Sequence, residues 1–220
     1  MDTKLWSIKQ LSFFNCLDNE NLNHLAQISH ITQYPKKSIL YYESDIQNKL
    51  FFLVSGLLKV YKIDKYDNEI FLYHIYNDSL ISELTTLNET TIHCFSNAEF
   101  LEDSVILEVD FLEFKKQFIS KNILTENFIN EILLKTHQLH CVVNRELVFD
   151  ATSKVAFMLM DDLKIFNKLK RHEVSFMLHI QPETLSRVLK KLKRADIIDT
   201  LNSEIIIKNK NALKNIYKGE

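Results

Sequence analysis

Glycine is nearly absent from this 220-residue chain, which has two glycines, two prolines and three cysteines. So few glycines leave no phosphate-binding glycine loop and no nucleophile elbow, motifs whose backbone turns depend on that residue. The cysteines, Cys16, Cys94 and Cys141, are odd in number and widely scattered. They build neither a disulfide framework nor the paired spacing of a zinc site, and they are too few for a four-cysteine iron-sulfur cluster. They read as reduced thiols. A paired metal-binding histidine motif is also missing, so an enzyme ranks last among the functional classes. No apolar run reaches the roughly eighteen residues that a membrane span needs. The first residues, Met1-Asp2-Thr3-Lys4-Leu5-Trp6, lack the apolar stretch and cleavage site of a signal peptide. The expectation is a cytoplasmic protein with no membrane partner.

What is present is enough for a sizeable core. Hydrophobic residues make up 46% of the chain, and the length suggests two domains. The net charge of -2 hides an asymmetry. Residues 1–149 carry 13 Lys and Arg against 20 Asp and Glu, whereas residues 150–220 carry 14 against 9. Only the C-terminal part suits a polyphosphate, where cationic contacts release condensed counterions; a solvated basic face is the alternative.

From about Ile31 to Val109 the sequence runs in short apolar or alternating stretches, such as Leu50-Phe51-Phe52-Leu53-Val54 and Leu57-Leu58-Lys59-Val60-Tyr61. Turn-like Ser55-Gly56 and Asp67-Asn68 separate them, which predicts a β-rich domain. Before it, Leu17, Leu22, Leu25 and Ile28 have helical spacing, so Leu11 to Ile28 reads as a short helical segment. After Asp110 the period changes: Phe111, Phe114, Phe118, Leu124, Phe128, Ile132, Leu139, Val142 and Val143 recur mostly three or four residues apart. This predicts one long helix, broken near Ser120, that packs on a second copy of itself. An intramolecular core helix is the alternative. Asp150 can cap the next helix, Ala151 to about Asp162, which puts a domain boundary near Phe149-Asp150.

Beyond Asp162 come a helical segment from Arg171 to Leu178, a tight connection at His179-Ile180-Gln181, a helix from Pro182 to Arg194, and strand-like Ile205-Ile206-Ile207. Two helices joined by so short a turn form a helix-turn-helix, whose second helix reads the major groove of double-stranded DNA. Pro182 suits the first helical position, because its fixed φ is helical and its missing N–H would be unpaired there. Glu183, Ser186 and Arg187 share a face and can read base edges, Glu accepting from cytosine N4 and Arg donating to guanine O6 and N7. Leu185, Val188, Leu189 and Leu192 face the other way. Lys190, Lys191, Lys193 and Arg194 can meet phosphates, although the helix dipole alone would also favour them.

These residues resemble the Crp/Fnr transcription regulators, whose recognition helix carries Glu-x-x-Ser-Arg, here Glu183-Thr184-Leu185-Ser186-Arg187. Phe51-Phe52-Leu53-Val54-Ser55-Gly56 looks like that family's β-roll strand and turn. Ile81-Ser82-Glu83-Leu84 resembles its pocket motif, and the segment from Phe149 to Ala156 resembles its hinge. The resemblance implies an α+β chain: a cyclic-nucleotide-binding-like β-roll over 1–110, a dimerisation helix over 111–149 and a winged helix-turn-helix over 150–220. It further implies a homodimer on a palindromic promoter site, RNA polymerase as a partner and activation as the commoner behaviour. Glu183, Ser186 and Arg187 carry over directly as base readers, with half-sites related to TTGAT as in the Fnr branch. Pro182 stands where the Crp branch has an arginine, so the extra guanine contact of that branch should be absent. Arg171, Gln181, Thr184, Lys190 and Lys191 fall at or near phosphate-contacting positions. His179 departs from the glycine common in the family's turn; histidine tolerates a positive φ better than most residues.

In relatives that bind cyclic AMP, an Arg-Ser pair after the pocket glutamate clamps the phosphate. Counted from Glu83, those positions hold His93 and Cys94, poor substitutes for a guanidinium. Cyclic AMP is therefore not the expected ligand, Glu83 reads as structural, and the clustered cysteines of the Fnr iron-sulfur site are lacking. Imidazole and thiol groups at His93, Cys94, His137, His140 and Cys141 leave haem or a metal as a candidate, with His140 near the end of the helix that closes the pocket. Two alternatives to the regulator reading are a haem- or metal-dependent sensor on the same fold and a cyclic-nucleotide-binding module without promoter specificity.

Overall fold

The structure is a computed structural model that describes residues 3–218. They fall into two compact units, 1–138 and 139–220.

The first unit opens with α1 (Thr3–Lys9), a 3-10 turn (Ser12–Phe14) and α2 (Asn19–Gln27). The helical segment expected over Leu11 to Ile28 is thus interrupted. Asp18 starts α2 afresh, its carboxylate accepting the N–H of Asn21 at 2.8 Å. Ten strands follow: β1 (Ser29–Tyr34), β2 (Ile39–Tyr41), β3 (Ile46–Gln47), β4 (Lys49–Ser55), β5 (Leu57–Ile63), β6 (Glu69–Tyr76), β7 (Ser79–Leu80), β8 (Ile92–His93), β9 (Asn97–Phe100) and β10 (Ser104–Asp110). They form two four-stranded antiparallel sheets, ordered β1-β10-β4-β7 and β2-β9-β5-β6, with β3 and β8 as a separate pair.

The apolar run on β4 shows how the roll is filled. Side chains alternate across a strand, so Leu50, Phe52 and Val54 join the core shared with the N-terminal helices, and Phe51 and Leu53 join a second core between the sheets. Gly56 links β4 to β5 at φ +117°, where a Cβ would lie 2.0 Å from Ser104 Oγ. Only glycine fits that close approach.

After Asp110 the chain makes α3 (Phe111–Phe114), a π-type segment (Lys115–Ile119), α4 (Thr125–Val143) and a second π-type segment (Asn144–Val148). The expected break near Ser120 is there, with Asn122 in the left-handed region at φ 60°. Phe111, Phe114, Phe118, Leu124 and Phe128 are buried against the roll.

The second unit holds α5 (Ala151–Asp161), α6 (Leu163–Lys168), α7 (Arg171–Met177), α8 (Pro182–Arg194), the hairpin β11 (Ile198–Leu201) and β12 (Glu204–Ile207), and α9 (Lys210–Lys218). Asp150 caps α5 by accepting from Ser153 N–H at 2.7 Å. The hairpin turns at Asn202 and Ser203, both at positive φ, as a two-residue type I′ connection needs. Asn167 clips the hairpin to α6, donating to the Ile205 carbonyl and accepting its N–H, both at 2.9 Å. No described helix is long and apolar enough to cross a membrane.

Candidate nucleic-acid interface and sensory pocket

The turn between α7 and α8 is closed by its own backbone. His179 N–H donates to Phe176 O and Ile180 N–H to Ser175 O, both at 3.0 Å. His179 takes φ 50°, the left-handed conformation expected of a residue that replaces glycine here. Gln181 is extended and Pro182 occupies the first helical position.

From there the helix period sorts the side chains. Leu185, Val188 and Leu192 are buried, and Leu189 is half-buried at the edge. Glu183, Ser186, Arg187 and Lys190 are exposed on the opposite side. Arg187 Nη2 donates to Thr184 Oγ1 at 3.1 Å, which holds the guanidinium close to the helix. Gln181 and Lys191 are also exposed, and Lys191 lies near enough to Asp150 to stabilise its charge.

Beside this face is a recess of about 210 Å³ between α8 and the hairpin. Its floor is Leu185, Leu189, Ile198 and Ile205, and its rim carries Arg171, Lys190 and Lys193. Lys193 pairs with Asp199 at 2.8 Å. The Arg171 guanidinium stacks 4.9 Å from the centroid of the Phe166 ring. Burial lowers its pKa, but an arginine so placed stays charged. Cations around an apolar recess next to an exposed polar helix face can hold a phosphate backbone while the helix meets bases.

The turn is also tied to the end of the α4 segment within the second unit. Glu146 Oε1 accepts from Arg145 Nε at 2.7 Å, and its Oε2 lies 2.8 Å from His179 Nδ1 and 3.6 Å from Lys154 Nζ. Lys154 Nζ also donates to the Leu178 carbonyl at 3.2 Å. One carboxylate thereby joins the helix exit, α5 and the helix-turn-helix turn.

In the first unit Glu83 is enclosed by donors. It accepts from Phe95 N–H at 2.9 Å, Ser96 Oγ at 3.0 Å and Tyr73 OH at 3.2 Å. Burial and this carboxylate push the Tyr73 phenol well up. Cys94 is buried 5% exposed, and burial, with Glu83 and Asp45 nearby, pushes its thiol up to about 12. His93, the residue before it, points outward, half-exposed and 3.5 Å from Glu89. The residues do not fit a cyclic phosphodiester. The uncharged Cys94 thiol supplies no positive charge, the Glu83 and Asp45 carboxylates beside it repel an anion, and the adjacent imidazole faces away.

His137 and His140 are exposed on α4, one turn apart, and Cys141 is half-buried. Among the described residues no three His, Cys, Asp or Glu side chains gather as a metal site.

Sequence reasoning missed Glu131 and Lys135, which face the roll from α4, and Glu146. An acidic and a basic residue four apart on one helix was the available signal for the first two. Glu146 gave none, because its partners lie elsewhere in the chain.

A β-roll followed by a winged helix-turn-helix is the architecture of a DNA-binding regulator. Residues 31–121 match the cyclic nucleotide-binding domain family and residues 155–216 the Crp-like helix-turn-helix domain family. Between them these segments take in most of the chain, and the protein belongs to the Crp/Fnr regulators. No curated protein sequence matches it. Among solved structures it is similar to a variant of CooA from Carboxydothermus hydrogenoformans, with 21% identity over 99% of this chain and 97% of that one, TM-score 0.72. FixK2 from Bradyrhizobium japonicum gives 16% identity over 86% and 97%, TM-score 0.65. The c-di-GMP-responsive global regulator CLP of Xanthomonas campestris gives 15% over 86% and 99%, TM-score 0.66. At these identities the likeness is one of fold.

Proposed function

We propose that the protein is a sequence-specific transcription regulator that binds a palindromic promoter site as a homodimer in the cytoplasm, recruits RNA polymerase, and answers a signal other than cyclic AMP. The observation that carries this reading is the outer face of α8. Glu183, Ser186 and Arg187 stand exposed together on it, with the cations Arg171, Lys190 and Lys191 around them. In their assigned roles the first three read base edges, and the others, with Gln181 and Thr184, hold phosphates.

The homodimer is supported by α4. Ile129, Leu133 and Val143 are 52%, 59% and 49% exposed. With Thr136 and His140 they fall at alternating steps of four and three residues, the spacing of a coiled-coil seam. A second copy of the same helix, in the 111–149 segment assigned to dimerisation, covers this stripe.

The test is Arg187→Ala against the protein's selected site and against random DNA. Loss of the guanine contact should cost about 1–3 kcal/mol on the selected site and relax the preference at that position. Equal loss on both DNAs would show that Arg187 meets phosphates rather than bases.

A further inference from the structure

Two ionisable side chains of α4 grip the backbone just ahead of Glu83. Glu131 Oε2 accepts from the N–H of Leu80 at 3.4 Å, and Lys135 Nζ donates to the carbonyl of Ile81 at 3.0 Å. Four residues apart on a helix, the two share one face. Lysine has a long flexible stem and ordinarily carries its charge into water. Here the residue is half-buried and its amine turns to the Ile81 carbonyl. Burial lowers the Lys135 pKa to about 8, although the Glu83 and Glu131 carboxylates favour its charge. Glu131 is raised by burial in turn, eased by Leu80 N–H and Lys135, with Asp78 opposing. An amine enclosed at this cost is retained where its charge is matched locally, and Glu83, Glu131 and the Ile81 carbonyl supply that match.

This contact lies beside the residues that fail as a phosphate clamp. Glu83 is already engaged by Tyr73, Phe95 and Ser96. The cation that a phosphodiester would need is spent on the chain's own backbone.

We propose that Lys135 is a built-in ligand of the β-roll: with Glu131 it pins α4 to residues 80–81 beside Glu83, so that the roll closes on its own helix instead of on a cyclic nucleotide. The bridge holds α4 without an effector and is the contact that any real signal has to loosen. It goes beyond the regulator reading and does not depend on which DNA is bound.

The full-length protein tests it in three ways. Calorimetric titration with cyclic AMP and cyclic GMP at millimolar concentration should show no saturable binding; saturable binding of either would overturn the proposal. Hydrogen exchange of the Leu80 amide should quicken about tenfold or more in Glu131→Gln and in Lys135→Met, since each removes one half of the bridge. Unchanged exchange in both would overturn it. To separate the amine from mere packing, Lys135→Cys is alkylated with bromoethylamine, which rebuilds the side chain with sulfur in place of one methylene. Slow exchange should return, with alkylated wild type as the control, and failure to return would overturn the proposal. If all three come out as expected while no DNA sequence is selected, the bridge stands and the regulator reading falls.

Discussion

Glu146→Gln keeps the shape of the side chain and removes the charge that Arg145, Lys154 and His179 share. The Arg145 and Lys154 side chains are only 10% and 11% exposed, and Glu146 is 25% exposed. Removing one partner of a buried pair costs about 3–5 kcal/mol. Glutamine still accepts one hydrogen bond and solvent screens the partly exposed carboxylate, which lowers the expectation to about 2 kcal/mol. For a unit of this size that is a fall in melting temperature of roughly 10 °C, read by calorimetry on the full chain. Burial raises the Glu146 pKa, but the hydrogen bonds and charges of Arg145 and His179 outweigh it and hold the carboxyl below the usual glutamate value. A depressed carboxyl contributes stability that is present above the unfolded pKa of about 4.3 and is lost as pH falls through the lower folded value. The variant should lack that acid-side loss. A shift under about 2 °C at neutral pH would refute the assignment of Glu146 as the centre of the cluster.

Two further substitutions or modifications probe the roll. Gly56→Ala combines a positive φ with a Cβ 2.9 Å from the Ser104 backbone, and should cost at least about 2 kcal/mol in urea unfolding; a neutral result would mean the turn relaxes freely. With its thiol pushed up to about 12 by burial and the nearby carboxylates, Cys94 stays a protonated, unreactive thiol at pH 8. A disulfide-exchange reagent should therefore label exposed Cys16 at once and Cys94 only after unfolding; fast native labelling of Cys94 would contradict its burial beside Glu83.

Features encoded by local rules were legible in the sequence. The β4 run, the cap at Asp150, the break near Ser120, the proline at the start of α8 and the left-handed His179 each follow from one residue's geometry or from a short period. The two-residue strands β7 and β8 carry too little pattern to stand out. The helices α6 and α9 and the strand β11 went unread because they are short and draw their definition from tertiary packing, α9 against α5 through Phe149, Phe157 and Tyr217. At the site, the exposed polar face of α8 was legible because helical spacing alone brings Glu183, Ser186 and Arg187 together. The Lys135 bridge and the Glu146 cluster were not, since both join residues brought together only by the fold: Lys135 with Ile81, and Glu146 with Lys154 and His179.

The central claim is that α8 reads DNA and that a dimer presents two copies of it. In vitro selection of bound DNA from a random library by the full-length protein tests both parts together. The account predicts an enriched inverted repeat with half-sites about one helical turn apart, related to TTGAT, whose guanine position loses its preference when Arg187→Ala repeats the selection. Enrichment of a single asymmetric site, or of no sequence at all, would contradict it.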